Sequence, residues 1–169
     1  MPDMLVKLYD LPENSRPTGR VPETEVVIRR AMVGEKYHVV DWVRAHFSIR
    51  WAAECDVALS SMPPTCYIAV QNDQILGFAC YDASCLNFFG PTGVVESHRG
   101  RGIGRELLFA SLWAMRDNGY SYAIIGWVGP AEFYGKAVGA TVIDHSEPGF
   151  YRGLLPESYA SPATPPPRE

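Results

Sequence analysis

The stretch Arg99-Gly100-Arg101-Gly102-Ile103-Gly104 lies between an apolar run, Phe88–Val95, and a helical run, Arg105–Asn118. This order predicts a strand, a glycine-rich turn and the first turn of a helix, which together make a binding site for a phosphate-bearing ligand. The alternating glycines let the backbone approach a ligand and adopt positive φ, and the helix start offers unpaired N–H groups and a positive dipole end. Arginines at 99, 101 and 105 add positive charge at the same place.

This positive charge is local, because the chain as a whole is acidic. The 169 residues carry 15 Lys and Arg against 19 Asp and Glu, for a formal charge of −4, and 47% of them are apolar. These values predict one globular domain and argue against a broad basic surface for nucleic acid. No apolar run approaches the roughly 20 residues of a membrane span, and the N-terminus lacks a basic segment followed by an apolar one. We expect a cytoplasmic protein without a membrane partner.

Cysteine and histidine show no metal-binding spacing. The four cysteines, at 55, 66, 80 and 85, contain no Cys-x-x-Cys pair, and the four histidines, at 38, 46, 98 and 145, are scattered. Reduced cysteines in apolar stretches usually behave as small buried residues. The sequence therefore predicts no metal site and no disulfide.

The chain divides into three parts. Residues 1–24 hold a short alternating segment followed by several prolines, which predicts an N-terminal arm or an extra edge strand. Residues 25–155 predict a single domain, and residues 156–169 a proline-rich tail without regular structure of its own. The apolar run Phe150–Leu155 is a last candidate strand of the domain.

The domain alternates strand and helix patterns, which indicates an α/β fold with a mixed sheet. The segment Phe88–Val128 predicts a strand, helix, strand crossover with the glycine loop at the carboxyl end of its first strand. The remaining predicted elements are strand Val26–Arg30, helices Glu35–Ile49 and Arg50–Leu59, a hairpin of Cys66–Val70 and Ile75–Tyr81, helix Pro130–Val138 and strand Ala140–Ile143.

Known nucleotide-binding motifs fit the glycine-rich turn less well. A dinucleotide-binding fingerprint needs a third glycine where Arg105 stands, and a nucleotide P-loop needs Gly-Lys followed by Ser or Thr, which is absent after Gly104. A simple tight turn explains neither the alternating glycines nor the arginines. RNA binding through Arg-Gly-Arg-Gly is disfavoured because the motif occurs once and lacks flanking aromatic residues.

The glycine-rich stretch resembles the coenzyme A pyrophosphate loop of the GNAT superfamily of acyl-CoA-dependent N-acyltransferases, whose pattern is Arg/Gln-x-x-Gly-x-Gly/Ala after a strand. Glu96 stands where the family usually has proline. Further along, Ala131–Ala140 resembles the family's Phe-Tyr-x-Lys segment, with one residue more than its commonest form. The resemblance extends from Val26 to Val142. It implies a mostly antiparallel central sheet, splayed between the strand before the glycine loop and the next strand, with helices on both faces.

The same resemblance implies an N-acetyltransferase that moves an acetyl group from acetyl-CoA to a primary amine of a small molecule or peptide, by direct attack in a ternary complex. Acetyl-CoA is then a co-substrate, and no metal takes part. The implied coenzyme-binding residues are Val94, Val95, Arg99, Gly100, Arg101, Gly102, Ile103, Gly104 and Arg105.

Tyr134 matches the tyrosine of the family's Phe-Tyr segment and is the predicted general acid toward the coenzyme A sulfur. The backbone amides around Val94 and Val95 are the predicted donors to the thioester carbonyl. The general base is less clear, because Phe88 stands where the histone-acetylating branch of the family has a glutamate. The nearest carboxylates, and the remaining catalytic candidates, are those of Asp82 and Glu96.

The acceptor pocket in this family is shaped by the first two helices and the last strands, which here contribute the aromatic residues Trp42, Phe47, Trp51, Trp127 and Tyr151. The acidic balance is compatible with a cationic acceptor and does not choose among amines. Since the base is unassigned, a non-catalytic module that senses acyl-CoA is the alternative function. Met4–Tyr9 and the proline-rich tail are candidate subunit contacts in a homodimer.

Overall fold

The structure is a computed structural model, which describes residues 1–156. Its strands are β1 (Met4–Lys7), β2 (Val27–Arg30), β3 (Cys66–Gln71), β4 (Gln74–Tyr81), β5 (Phe88–Val94), β6 (Tyr122–Ile125) and β7 (Thr141–Val142). Its helices are α1 (Lys36–His46), α2 (Ile49–Ser60), α3 (Ile103–Asp117) and α4 (Ala131–Val138). The seven strands form one sheet in the order β2-β3-β4-β5-β6-β1-β7.

Neighbouring strands run antiparallel except β5 and β6, which are parallel and joined by α3. The sheet is covered on both faces. In β4, Phe78 and Cys80 pack in a core with α1 and α2, whereas Ala79 and Tyr81 pack in a second core with α3. Because β4 is buried on both sides, its sequence is almost continuously apolar. The predicted mixed α/β fold with a mostly antiparallel sheet is confirmed.

The helix boundaries follow from local chemistry. Helix α2 begins after Ser48, whose hydroxyl accepts a hydrogen bond from the Trp51 amide at 3.1 Å, so that one of the unpaired donors of the first turn is satisfied. Helix α4 ends at Gly139, which has a φ of +64° and closes the helix in the left-handed conformation. Strand β6 is shorter than the apolar run Tyr120–Val128, because Trp127 also has positive φ, +48°, and leaves the sheet.

The expectation of a loose arm or an edge strand for residues 1–24 needs correction. Strand β1 lies inside the sheet, since it pairs with β6 on one side and with β7 on the other. Met4 and Val6 are buried, and the following residues Leu8 and Leu11 pack in the core with α3. The alternation of the segment is visible in the sequence, but its two partners lie more than a hundred residues further along the chain.

The end of the chain also differs from expectation. The predicted strand at Phe150–Leu155 is absent, and Gly149–Tyr151 forms a short 3-10 turn instead. The place next to β6 is taken by β1. Of the predicted tail, residues 157–169 lie outside the described residues. Among the helices of residues 1–156, none is long and apolar enough to cross a membrane.

Candidate functional site

The sheet opens between β5 and β6. Their parallel pairing is limited to Phe88 with Ile124 and Phe89 with Ile125. Beyond Phe89, β5 continues alongside β4 as far as Val94, whereas the chain after β6 turns away at Gly126. The gap leaves one side of β5 without a neighbouring strand. The predicted splay is therefore present at the predicted place.

The glycine-rich loop lies at the carboxyl end of β5. Gly100 and Gly102 have φ of +77° and +81°, values that residues with a Cβ rarely adopt. Gly102 is the N-cap residue of α3. Within residues 1–156, no group accepts a hydrogen bond from the amides of Ile103, Gly104 or Arg105, the first three residues of α3. The loop thus presents a row of backbone donors at the positive end of a helix, which suits a phosphate group.

The loop arginines differ in their surroundings. Arg99 and Arg101 are exposed. The guanidinium of Arg105 lies 4.8 Å from the centre of the Phe109 ring and pairs with Glu106 at 3.6 Å. The Nε of Arg99 donates to the Val94 carbonyl at 3.1 Å, which fixes this side chain against the end of β5. All three cations remain close enough to the loop to attract an anion.

The amides of Val94 and Val95, predicted as a pair of donors, point to opposite sides. The Val95 amide donates to the Leu76 carbonyl of β4 at 2.9 Å and is already used by the sheet. Because backbone groups alternate along an antiparallel strand, the Val94 amide points away from β4, toward the gap. Of the two valines, Val94 is therefore the one positioned to offer its amide to a ligand between β5 and β6.

A cleft of about 580 Å³ occupies the gap. Its walls include Gly90, Pro91 and Thr92 of β5, the residues from Ile125 at the end of β6 to Pro130, and side chains of α2 and α4. Such a cavity has the size of a small-molecule site. Tyr134 of α4 lines it and is only 6% exposed, with its ring edge against Phe89 at 6.3 Å between centroids. Burial raises the pKa of Tyr134 to about 12, so its hydroxyl keeps its proton at neutral pH.

The cleft contains a carboxylate that the sequence reasoning missed. Glu54 of α2 lines it, and burial raises the pKa of Glu54. The Ser84 hydroxyl donates a hydrogen bond to Oε1 of Glu54, and the Tyr151 hydroxyl donates in turn to Ser84 at 3.5 Å. Glu54 follows Trp51 by three residues, which places both on one face of the helix. That spacing is the available signal, since Trp51 is itself predicted to line the acceptor pocket.

The two predicted carboxylates lie elsewhere. Asp82 occupies the turn between β4 and β5, where Oδ1 accepts from the Asn87 amide at 2.7 Å and Oδ2 accepts from the Tyr120 hydroxyl at 3.1 Å. Glu96 is exposed in the short turn after Val95. Neither residue lines the cleft. Asp82 serves as a turn cap, and among the described residues that line the cleft Glu54 is the one with a carboxylate side chain.

Four of the five predicted aromatic residues line the cleft, namely Phe47, Trp51, Trp127 and Tyr151. Trp42 instead packs behind it, stacked on His46 at 4.7 Å. Trp127 is held in three ways: its amide donates to Oδ1 of Asp3 at 3.0 Å, its indole N–H donates to the Pro148 carbonyl at 3.3 Å, and its ring packs on Tyr151 at 4.5 Å. The aromatic wall is therefore fixed by contacts to both ends of the described chain.

Three of the four cysteines meet in the core beneath α2, although the sequence spacing gives no sign of it. The Sγ atoms of Cys55, Cys66 and Cys80 lie within 4.8 Å of one another, and all three residues are buried. Cys66 and Cys80 are cross-strand partners in β3 and β4. Within residues 1–156, no fourth Cys, His, Asp or Glu joins this set, whereas structural zinc sites almost always use four ligands. Their neighbours are apolar core residues such as Phe78.

Comparison with known proteins identifies the family. The family model described as an acetyltransferase (GNAT) domain matches residues 63–152, more than half of the chain. The matched region contains the glycine-rich loop, the splayed strands and Tyr134. The chain therefore belongs to the GNAT acetyltransferase family. No curated protein sequence matches it.

Solved structures share the fold at low sequence identity. A GCN5-related N-acetyltransferase from Sphaerobacter thermophilus is 23% identical with a TM-score of 0.64, over 84% of this chain and 48% of that one. The glucosamine N-acetyltransferase region of a fungal multi-domain β-N-acetylglucosaminidase is 15% identical with a TM-score of 0.66, over 84% of this chain and 19% of that one. This chain thus spans less than half the length of either protein.

Proposed function

We propose that the protein is an N-acetyltransferase that transfers an acetyl group from acetyl-CoA to a primary amine bound in the cleft. The observation that carries the proposal is the opening between β5 and β6, which joins a phosphate-binding loop at one end to a cleft containing Tyr134 and Glu54. A long, phosphate-bearing thioester fits this layout, since β5 itself connects the two regions. Family membership supports the same activity.

The loop suits the pyrophosphate of coenzyme A. The unpaired amides at the start of α3, the positive φ of Gly102 and the exposed guanidinium groups of Arg99 and Arg101 all favour an anion there. The exposed backbone of β5 would bind the amide-containing arm of the coenzyme. The Val94 amide, directed toward the gap, is the candidate donor to the thioester carbonyl.

Glu54 and Tyr134 suit the two proton transfers. An alkylammonium has a pKa near 10.4, so it must lose a proton before it attacks. Glu54, whose pKa is raised by burial, accepts that proton. The amine nitrogen then bonds to the acetyl carbon, the C–S bond breaks, and Tyr134 protonates the leaving sulfur. The second proton lost by nitrogen restores Tyr134, so one proton passes to solvent for each acetyl group transferred.

The experiment is an assay of thiol release from acetyl-CoA in the presence of a panel of primary amines. We expect release with at least one amine, and a fall in kcat of about 10²- to 10⁴-fold in Tyr134→Phe, which keeps the ring and removes only the hydroxyl. Tyr37→Phe is the matched control, because Tyr37 is 77% exposed on α1 and remote from the cleft lining. Tight coenzyme A binding with no release from any amine would favour the alternative, a non-catalytic acyl-CoA sensor.

A further inference from the structure

The charged side chains of the cleft form an opposed pair. Arg50 and Glu54 are the only two charged side chains among the described lining residues, and they stand four residues apart on α2. This spacing places them on one face of the helix, with Cβ atoms about 6 Å apart. The cleft therefore offers one cationic and one anionic side chain, side by side on α2. The N-terminal ammonium of Met1, which also lines the cleft, is paired with Glu147.

The two groups are close without being joined. Neither takes part in an ion pair within residues 1–156, although the Arg50 guanidinium lowers the pKa of Glu54 against the larger effect of burial. Among the described residues, the Arg50 side chain has one hydrogen-bond partner: Nη2 donates to the Leu155 carbonyl at 2.7 Å. A guanidinium has five N–H donors in a planar fork, so Arg50 retains the capacity to bind a carboxylate at two points.

The rest of the lining carries no charged side chain and is rich in aromatic rings. Trp51 lies one residue from Arg50 on α2, and the rings of Trp127 and Tyr151 pack on each other at a tilt of 35° on the wall after β6. An apolar or aromatic body bound there would be covered on its faces by rings. A polyamine fits poorly, because its second ammonium would meet Arg50 or a wall without a second carboxylate.

We infer that the acceptor is an α-amino acid with an apolar side chain, or a close analogue, whose carboxylate binds Arg50 and whose amino group faces Glu54. This inference rests on the proposed N-acetyltransferase activity and names its substrate class. An amino acid carries its amino group and carboxylate on one carbon, which suits two opposite charges on adjacent turns of one helix. Arg50 is thus a specificity-determining residue, and Trp51, Trp127 and Tyr151 bind the side chain.

The test compares three acceptors that share the phenethylamine skeleton: phenylalanine, phenylalanine amide and phenethylamine itself. With saturating acetyl-CoA, we expect kcat/KM for phenylalanine to exceed that for the two acceptors without a carboxylate by about 10- to 100-fold, the range of a hydrogen bond to a charged group. In Arg50→Met this ratio falls toward one, and in Arg50→Lys, which keeps the charge and loses the fork, it takes an intermediate value. Arg44→Met is the matched control, since Arg44 pairs with Asp41 on the exposed face of α1.

Coenzyme A affinity by calorimetry and a thermal melt check that each variant is folded. A preference for phenethylamine over phenylalanine, or a ratio that Arg50→Met leaves unchanged, overturns the inference while the N-acetyltransferase activity stands. Absence of thiol release from every acceptor overturns the proposed function itself.

Discussion

Oδ1 of Asp3 accepts a hydrogen bond from the backbone amide of Trp127 at 3.0 Å, across 124 residues of sequence. Asp3 is only 6% exposed, and its own amide donates to the Ser146 hydroxyl at 2.8 Å. Trp127 needs this support because its φ of +48° is costly for a bulky residue. The residue just before β1 therefore holds an aromatic wall of the cleft in place.

We expect Asp3→Ala to lower the free energy of unfolding by about 1–3 kcal/mol, because the Trp127 amide loses its acceptor in a partly buried place. The KM for the acceptor should rise more than the KM for acetyl-CoA, since Trp127 lines the cleft and not the loop. Asp10→Ala, a change at an exposed aspartate, is the control. Equal changes in both KM values would show that Asp3 acts on the whole fold and not on the acceptor wall.

Substitutions at Gly102 separate backbone strain from charge. Its φ of +81° makes any side chain unfavourable by about 1–2 kcal/mol, although a Cβ would meet nothing nearer than Val21 at 3.7 Å. Gly102→Ala should therefore destabilise the loop modestly, and Gly102→Glu should in addition abolish coenzyme A binding by placing a negative charge at the phosphate site. Calorimetric titration with coenzyme A measures the affinity of both variants. If the Glu variant binds as well as the Ala variant, the loop does not hold the pyrophosphate.

The pH dependence of turnover should report Glu54. Its pKa is raised by burial, so kcat/KM should fall on the acid side at a pH above the ordinary carboxyl value of about 4.3. Tyr134, with a pKa of about 12, stays protonated throughout. Glu54→Gln should lower kcat. Its pH profile should lack the acid-side fall in kcat/KM that the carboxylate causes in the wild type. The wild-type and variant profiles are compared with the same amine, so that the titration of the acceptor cancels.

The same carboxylate should lower stability at neutral pH. Since the folded state holds the Glu54 proton more tightly than the unfolded chain does, the free energy of unfolding falls as pH rises from the ordinary carboxyl range through the raised pKa. Glu54→Gln should therefore melt at a higher temperature than wild type at pH 7, and this gain should disappear at a pH below the unfolded value. A lower melting temperature at pH 7 would mean that the Ser84 hydrogen bond outweighs burial.

Thiol accessibility tests the buried cysteine cluster. Cys55, Cys66 and Cys80 are buried, whereas Cys85 is partly exposed in the turn before β5. In the native protein we expect one thiol to react with an aromatic disulfide reagent, and four to react after denaturation. Cys85→Ser should remove the native reaction. Rapid native reaction of three or more thiols would contradict this packing, and elemental analysis of the purified protein would reveal a metal held by the cluster.

The elements made by neighbouring residues could be predicted from the sequence. The strand, glycine loop and helix from Phe88 to Asp117 are set by local chemistry: an apolar run, glycines at the two positive φ positions, and helical spacing after them. The cleft position followed from the parallel pairing of β5 with β6. Tyr134, which lies in a short and contiguous motif, lines the cleft, and its role as general acid stays a prediction.

The features that were missed depend on contacts between distant residues. Glu54 is linked by hydrogen bonds to Ser84 and, through it, to Tyr151, and these two residues belong to different loops. The register of β5 against β4 decides which of the Val94 and Val95 amides bonds to β4 and which faces the gap. No periodicity within α2 or β5 alone specifies these partners. Asp82 and Glu96 are the carboxylates nearest to β5 along the sequence, but neither lines the cleft in the structure.

The position of β1 between β6 and β7 has a consequence for the order of folding. During synthesis Met4–Lys7 leaves the ribosome well before its partners, Tyr122–Ile125 and Thr141–Val142, which follow more than a hundred residues later. The hairpin of β3 and β4 can form from adjacent residues, whereas closure of the sheet around β1 must wait for a loop of more than a hundred residues to come together. The aromatic wall of the cleft, which depends on Asp3, is therefore among the last of the described parts to assemble.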